Sequence, residues 1–408
     1  MKPSLHCSRA AQGGVSLIEL MVGVVIGLLA TLVIAQVAGL YETQKRQTSA
    51  SADAQINGAL ALHTLQRDIE MGGYGLTSGG VAGCTQIRGK RSATNYDWTF
   101  APVLITQGTG ATGGTTGRAD TIQVLMANNN NGFALPMQLR EHHRKDDSSF
   151  VLAERINVGN RQGDMLLVIP PANVAGTASP SPAGQVSPHW CSLAQISAAP
   201  SGDTLAHGTS GAPWNHDATS TRFPGDLGSD IAYAAGSTLI NLGTLADRCY
   251  FISDPNETTA TRRCGLAADS TEMAYTLRLR TFTTADASTT NQDIFPDIIN
   301  LQAVYGIDTT APADGAVDSW TTTTPTTGAG WAQVIAVRVA LLARGTQYDE
   351  REVTTTVPNW RPDGVTAEPF TLPACPSGEN DCWKHYRYRV FESVMPLRNM
   401  LWQARQSP

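Results

Sequence analysis

Gly13-Gly14-Val15-Ser16-Leu17-Ile18-Glu19-Leu20-Met21-Val22 opens an apolar run that continues to Leu40. Glu19 is the only charged residue between Val15 and Leu40. The run is about 26 residues long, and at about 1.5 Å per residue a helix of that length reaches roughly 39 Å. That is enough to cross a hydrocarbon core of about 30 Å. A carboxylate near the start of such a helix is costly, and residues of this kind carry function by default. The preceding segment Met1–Gly14 contains Lys2 and Arg9 and no acid. Its positive charge sets the N-terminus on the cytoplasmic side and everything after Tyr41 outside the inner membrane. The segment has no apolar stretch of its own, so it is not an ordinary secretory signal, whose cleavage site follows its apolar region.

The helix is expected to outlast the membrane. From Glu42 to Met71 there is no proline, and Gly58 is the only glycine. Ile56, Leu60 and His63 fall near one helical face, as do Leu62, Leu65 and Ile69. Gly72-Gly73 is a helix stop. One helix from about Val15 to Met71 follows, with an amphipathic second half suited to packing on a sheet.

Beyond Gly73 the pattern changes to short strands and turns. Strands are expected at Ala101–Ile105, Asp120–Met126, Phe150–Val158, Met165–Pro170, Ser237–Leu242, Cys249–Ser253, Met273–Thr284, Leu301–Ile307, Val334–Ala343 and Arg387–Leu397. Gly108–Gly117 and Ala311–Gly330 read as loops, and Pro171–Gly225 as a long insertion or partly disordered segment. No internal repeat is present. The fold class is α+β, with a long N-terminal helix packed on a β-rich domain. Four segments follow: a leader at 1–14, a membrane helix at 15–41, its amphipathic continuation at 42–71, and a β-rich domain at 72–408.

Composition narrows the function. The 408 residues carry a formal net charge of −6, and loss of Lys2 and Arg9 with the leader takes it to −8. That balance gives no electrostatic footprint for nucleic acid. Hydrophobic residues make up 41% of the chain, enough for a real core. Cys7 lies in the leader, and six cysteines remain: Cys84, Cys191, Cys249, Cys264, Cys375 and Cys382. An even number outside the cytoplasm points to disulfides, for which six cysteines allow 15 full pairings. Cys375–Cys382 and Cys249–Cys264 are the local pairs, leaving Cys84 with Cys191. Zinc is the competing reading, disfavoured because the spacings do not repeat.

Catalytic patterns are missing. There is no HExxH and no GxSxG. Gly83–Lys90 departs from a phosphate loop in spacing, and Arg91 stands where Ser or Thr is needed. Glu141–Asp147 reads as a solvated charged turn rather than a metal site. Asp308, Asp314 and Asp318 around Gly315 raise a Ca²⁺ site, against which a plain Asp/Gly turn is favoured because the spacing is not that of an EF-hand. No cofactor is expected. Gly23 and Gly27 form a GxxxG that suits close helix packing or is ordinary membrane glycine.

The Gly13-Gly14 junction, the Leu17-Ile18-Glu19-Leu20-Met21 core and the spacing to Glu19 resemble the type IV prepilin signal. Three later stretches resemble PilW-like minor pilins: Ile294–Asp308 as a helix-then-strand segment, Val334–Arg344 as the strand after it, and Tyr388–Asn399 as the last strand. Leu65–Gly75 is also similar, at the end of the long helix. The resemblance implies that a prepilin peptidase cuts between Gly14 and Val15 and N-methylates Val15. Glu19 becomes the fifth mature residue, where the family carries its glutamate. The first mature residue is usually Phe in that family and is Val15 here. The resemblance further implies a non-enzymatic subunit, held in the inner membrane and then assembled into a pilus or its tip complex. Its partners would be the peptidase, other minor pilins, the major pilin and a tip adhesin. Glu19 would pair with the N-terminal amine of a neighbouring subunit. A type II secretion pseudopilin is the structural alternative, and a membrane-tethered binding or hydrolytic domain the alternative of another class.

Overall fold

The structure, a computed structural model, describes residues 16–76, 84, 86–108, 118–128, 136–154, 159–170, 190–215, 231–255, 263–267, 272–375 and 381–400. It is α+β. One helix, α1 (Leu17–Glu70), is followed by a series of mostly antiparallel strands. The chain divides into two compact units, Met1–Ala52 and Asp53–Pro408.

In the first unit the helix presents its apolar side chains outward from Leu17 to Leu40. An 18-residue window within α1 reaches a mean hydropathy of 2.7, which fits membrane anchoring by length and composition. No glycine notch here is filled: a Cβ at Gly23 or Gly27 would meet nothing within 4 Å.

In the second unit the helix buries one stripe, Ala54, Ala61, Leu65 and Ile69, at the i, i+3, i+4 spacing of a core-facing helix. Of the two expected faces, Leu65 and Ile69 pack inward with Leu62 half-buried, whereas Ile56, Leu60 and His63 point outward. The helix ends before Gly72-Gly73. Gly73 adopts φ +74°, a conformation glycine takes without a Cβ penalty. Its N–H then donates to Leu125 O at 2.8 Å, binding the helix exit to a strand.

The buried stripe lies against two sheets. The larger has ten strands built around Thr238–Ile252. Along its main path the order is Thr289–Pro296, Thr276–Thr283, Thr238–Ile252, Met165–Ile169, Trp190–Gln195, Gln86–Arg91 and Thr94–Thr99. Thr121–Asn128 also pairs with the long strand and carries Val103–Thr106, and Met137–Gln138 pairs near the long strand's start. Only Gln86–Arg91 with Trp190–Gln195 is a parallel pair among these. The smaller sheet is antiparallel throughout, in the order Ser319–Thr321, Ile298–Ile307, Val334–Arg344 and Tyr388–Pro396. Val103, Ile122, Val124, Tyr250 and Leu277 from the first sheet and Leu301, Tyr305, Val337, Val339 and Leu341 from the second share one core with the helix.

Several expectations change. Ser237–Leu242 and Cys249–Ser253 are one strand of 15 residues. The apparent break absorbs a bulge, where Gly243 (φ +62°) and Thr244 face the same Asn128. The charged residues Asp247 and Arg248 beyond it have partners across the sheet and on the helix. Ile294–Asp308 contains no helix. It is the end of one strand, a corner at Asp297 (φ +65°), and the strand Ile298–Ile307, so the chain steps there from the larger sheet to the smaller. Within Pro171–Gly225, Trp190–Gln195 and Thr204–Ala206 are strands, and Trp214 is fully buried with its Nε1 donating to Thr284 O at 2.8 Å. Residues 171–189 and 216–230 lie outside the described residues. Ala311–Gly330 holds the strand Ser319–Thr321 and most of a short helix, Gly328–Ala332, capped by Thr327. Gln86–Arg91, within the near-miss phosphate loop, is a strand.

The last strand reaches the helix at Gly58, where a Cβ would sit 2.1 Å from Phe391 Cε2. Glycine is thus required by the ring, not by the helix, which alanine would favour by up to about 1 kcal/mol. Overpacking costs about 1–3 kcal/mol. Gly58→Ala is therefore expected to lower the unfolding free energy of the β-rich domain, by roughly 1 kcal/mol net. Phe391→Leu in the same chain is expected to recover part of the loss, and denaturant unfolding of the single and double variants measures both.

Candidate functional site

Glu19 lies in the first turn of α1, exposed among exposed apolar side chains. Among the described residues it has no hydrogen-bond or ion-pair partner. Gly14 and Val15 lie outside the described residues. Further along, Glu42 and Arg46 form an exposed i, i+4 ion pair at 3.1 Å, which marks the change from an apolar to a water-facing surface.

The helix carries another acid of opposite circumstance. Asp68 falls on the buried stripe, three residues after Leu65, and is 3% exposed. Arg248 of the long strand brings Nη1 to both carboxylate oxygens at 2.8 and 2.9 Å. The Tyr250 hydroxyl, two residues on along the same strand, donates to Asp68 Oδ2 at 2.5 Å. Burial, then the Asp68 charge, pushes the Tyr250 pKa well up, which keeps the hydroxyl a donor. Two further links complete the join: Arg398 pairs with Glu70 at 2.7 Å, and Asn399 Nδ2 donates to Gly72 O at 3.0 Å. Asp68 is not among the residues that the sequence singles out. The available signal was an acid on an otherwise apolar helical face.

Charged residues continue on the same sheet. Arg280 pairs with buried Asp247 at 2.7 Å. Arg278 reaches Asp293 at 2.5 Å and also pairs with Glu272, which takes a second ion pair from buried Arg263. Arg263 and Arg278 flank the Phe251 ring, 5.5 and 5.8 Å from its centroid.

The six cysteines after Cys7 meet in three pairs. Cys84–Cys191, Cys249–Cys264 and Cys375–Cys382 have Cα atoms 5.6, 5.9 and 5.6 Å apart, inside the usual disulfide range. The first ties the start of the β-rich domain to a central strand, and the second fastens the turn carrying Arg263 to the long strand.

Asp308, Asp314 and Asp318 do not converge on a common point. Asp308 accepts from Thr310 N at 3.1 Å and Gly315 N at 2.8 Å, Asp314 from Ala316 N at 2.8 Å, and Asp318 from Thr309 N at 2.7 Å. Each carboxylate serves as a turn cap. Among the described residues no group of three or more His, Cys, Asp and Glu side chains could hold a metal. In Glu141–Asp147, Arg140 just before it pairs with Asp203 at 2.5 Å and Asp147 accepts from Arg144 N. The solvated-turn expectation fails at His143, which is 2% exposed. Its side chain turns inward onto His207, a partner 64 positions along the chain that no local pattern signals.

Residues 250–399 match the family described as Type IV Pilus-assembly protein W, PilW. No curated protein and no solved structure matches the chain. The matched segment begins at Tyr250, the residue that holds Asp68, and takes in the whole smaller sheet. This part of the chain is PilW-like, similar to a family named for type IV pilus assembly.

Two predictions follow from this geometry. Asp68→Asn leaves Arg248 without its counter-charge. Breaking a fully buried pair costs about 3–5 kcal/mol. Arg248 keeps a third of its side chain in water, so the expected loss is nearer roughly 2 kcal/mol. Denaturant midpoints of Asp68→Asn, Arg248→Ala and the double variant should reveal a coupling that vanishes if the helix joins the sheet by apolar contact alone. The disulfides close loops with sequence separations of 107, 15 and 7. Chain entropy gives about 4.7 kcal/mol for a loop near 100 residues and about 3 for one near 15. Paired Cys→Ser variants are expected to lose thermal stability in the order Cys84/Cys191, Cys249/Cys264, Cys375/Cys382, with peptide mapping under non-reducing conditions establishing the links.

Proposed function

We propose that this PilW-like chain is a minor pilin: a structural, non-catalytic subunit that waits in the inner membrane and passes into a pilus or its tip complex. The observation that carries the reading is the single helix Leu17–Glu70. Its first half exposes an unbroken apolar surface whose one charge is Glu19, and its second half belongs to a domain with a PilW-like segment. A simple anchor needs no carboxylate, and an insertion cost of at least about 2.5 kcal/mol argues against keeping one without use.

In this reading a prepilin peptidase cuts after Gly14 and methylates Val15, with the N-terminus cytoplasmic and the β-rich domain periplasmic. Glu19 then pairs with the N-terminal amine of a neighbour as the helices bundle, which offsets the cost of an acid in an apolar core. Ile56 and Leu60 are exposed on the outer face of the helix within the second unit, where a neighbouring subunit could cover them. The peptidase, the other minor pilins, the major pilin and a tip adhesin are the partners this role requires.

Glu19→Ala separates the roles. The variant is expected to stay in the inner membrane and to be cut after Gly14, yet to be recovered poorly in sheared pili. Intact-mass analysis of both chains reads the processing, with the wild type starting at methylated Val15. Normal recovery of Glu19→Ala in the pilus fraction would refute the pairing role, and a wild-type chain retaining Met1–Gly14 in cells with an active peptidase would refute the pilin reading.

A further inference from the structure

His143 and His207 form a contact that the assembly role does not use. Both are 2% exposed, and their Nε2 atoms are 2.7 Å apart. Phe150 packs on both rings, with centroids 4.5 and 4.2 Å away. His143 belongs to the short strand His143–Arg144, paired with Ile231–Tyr233. His207 directly follows Thr204–Ala206, paired with Ser149–Val151. The contact thus bridges two ribbons, and these lie in one cluster with Leu166, Val168, Ala194 and Leu239 of the larger sheet.

A nitrogen–nitrogen contact of this length needs a proton on one atom and a lone pair on the other. Two neutral rings satisfy it, and two imidazolium rings cannot. The surroundings disfavour charge. Burial lowers the His143 pKa from 6.5 to about 4, against the opposing pull of Asp147 and Asp146. Those two acids, in the turn after the first ribbon strand, are exposed. From the partner strand Tyr233 faces the pair with its ring centroid 6.5 Å from that of His143, and burial raises its pKa so that it stays neutral. Ser149–Val151 and Thr204–Ala206 contribute no titratable side chain. Asp203, next to the latter, is taken by Arg140.

We propose that the His143–His207 contact is an acid-released clasp, which holds the two ribbons over the larger sheet at neutral pH and lets them separate when both rings take up protons. The direction follows from linkage: a histidine whose folded pKa lies below its free value binds more protons when released, so the closed state weakens as pH falls from about 6.5 towards 4.

Hydrogen exchange of the full chain in detergent, corrected for the intrinsic rate, tests this at about pH 7 and pH 4.5. Peptides covering residues 143–152, 204–207 and 231–240 are expected to lose protection at least tenfold more than the strand Val334–Arg344. In His143→Gln/His207→Gln, provided those peptides are protected at pH 7, protection at pH 4.5 is expected to persist. Equal protection of the wild-type ribbons at both values, or equal acid loss in the double variant, would overturn the clasp. Imidazole NMR titration of the wild type is independent of the variant folding. The His143 ring is expected to titrate well below 6.5, and its titration near pH 6.5 would equally overturn the clasp.

Discussion

A carboxylate on the buried face of a helix must be met by charge and hydrogen bonds from whatever packs there, because an unpaired buried charge costs far more than apolar contact returns. Asp68 imposes that condition on the β-rich domain. It fixes the long strand in register with the helix, since Arg248 and Tyr250, two residues apart on one face of that strand, must both reach the same carboxylate. Once that strand is set, Thr121–Asn128, Met165–Ile169 and Thr276–Thr283 have their register from it. A second buried aspartate repeats the device between the two sheets. Asp120 accepts from Gly108 N at 2.7 Å and from Ala303 N at 2.8 Å, while its own N–H donates to Leu301 O. Two acids therefore specify junctions that the shared apolar core, being non-directional, leaves free to slide.

The same condition explains what could be read from the sequence. The helix was legible almost to the residue, since its period, its lack of proline and the Gly72-Gly73 stop are local signals. Strands with unbroken apolar runs were equally legible, as in Val334–Arg344 and Met165–Ile169. What failed were elements whose charged or small residues are covered only by a distant partner. Asp247 and Arg248 looked like the interruption of a strand because Arg280 and Asp68, which neutralise them, lie far away in sequence. Trp190–Gln195 looked like insertion because its neighbours are Ala, Ser and Pro. Its burial comes instead from Met165–Ile169, Gln86–Arg91 and Trp214. The Asp297 corner was hidden because a single left-handed residue leaves no pattern in composition.

The candidate sites divide along the same line. Glu19 was visible because it breaks a local rule, one acid in a membrane-length apolar run. His143 was not, since an alternation of charges around it reads as solvated surface until the chain returns 64 residues later. The cysteines fall between: local pairing suits Cys249–Cys264 and Cys375–Cys382, while Cys84–Cys191 was reached only as the remainder. The structure supplies its reason, the parallel pairing of Gln86–Arg91 with Trp190–Gln195 that brings the two chain segments side by side.

Asp68 and Glu19 stand on one helix and set up opposite requirements. Asp68 is satisfied within the chain, by an arginine and a tyrosine from a strand that closes over it. Glu19 stands among apolar side chains, and among the described residues no group of this chain pairs with it. In water that costs nothing, because an exposed carboxylate is solvated. In a bilayer, or in a bundle of apolar helices, the same group must find a cation or lose its charge. The chain has answered that requirement wherever it can do so internally, at Asp68, Asp120, Asp247 and Glu272. Glu19 has no such answer among the described residues, and under the proposed role the condition would pass to a positive group at the start of a neighbouring helix.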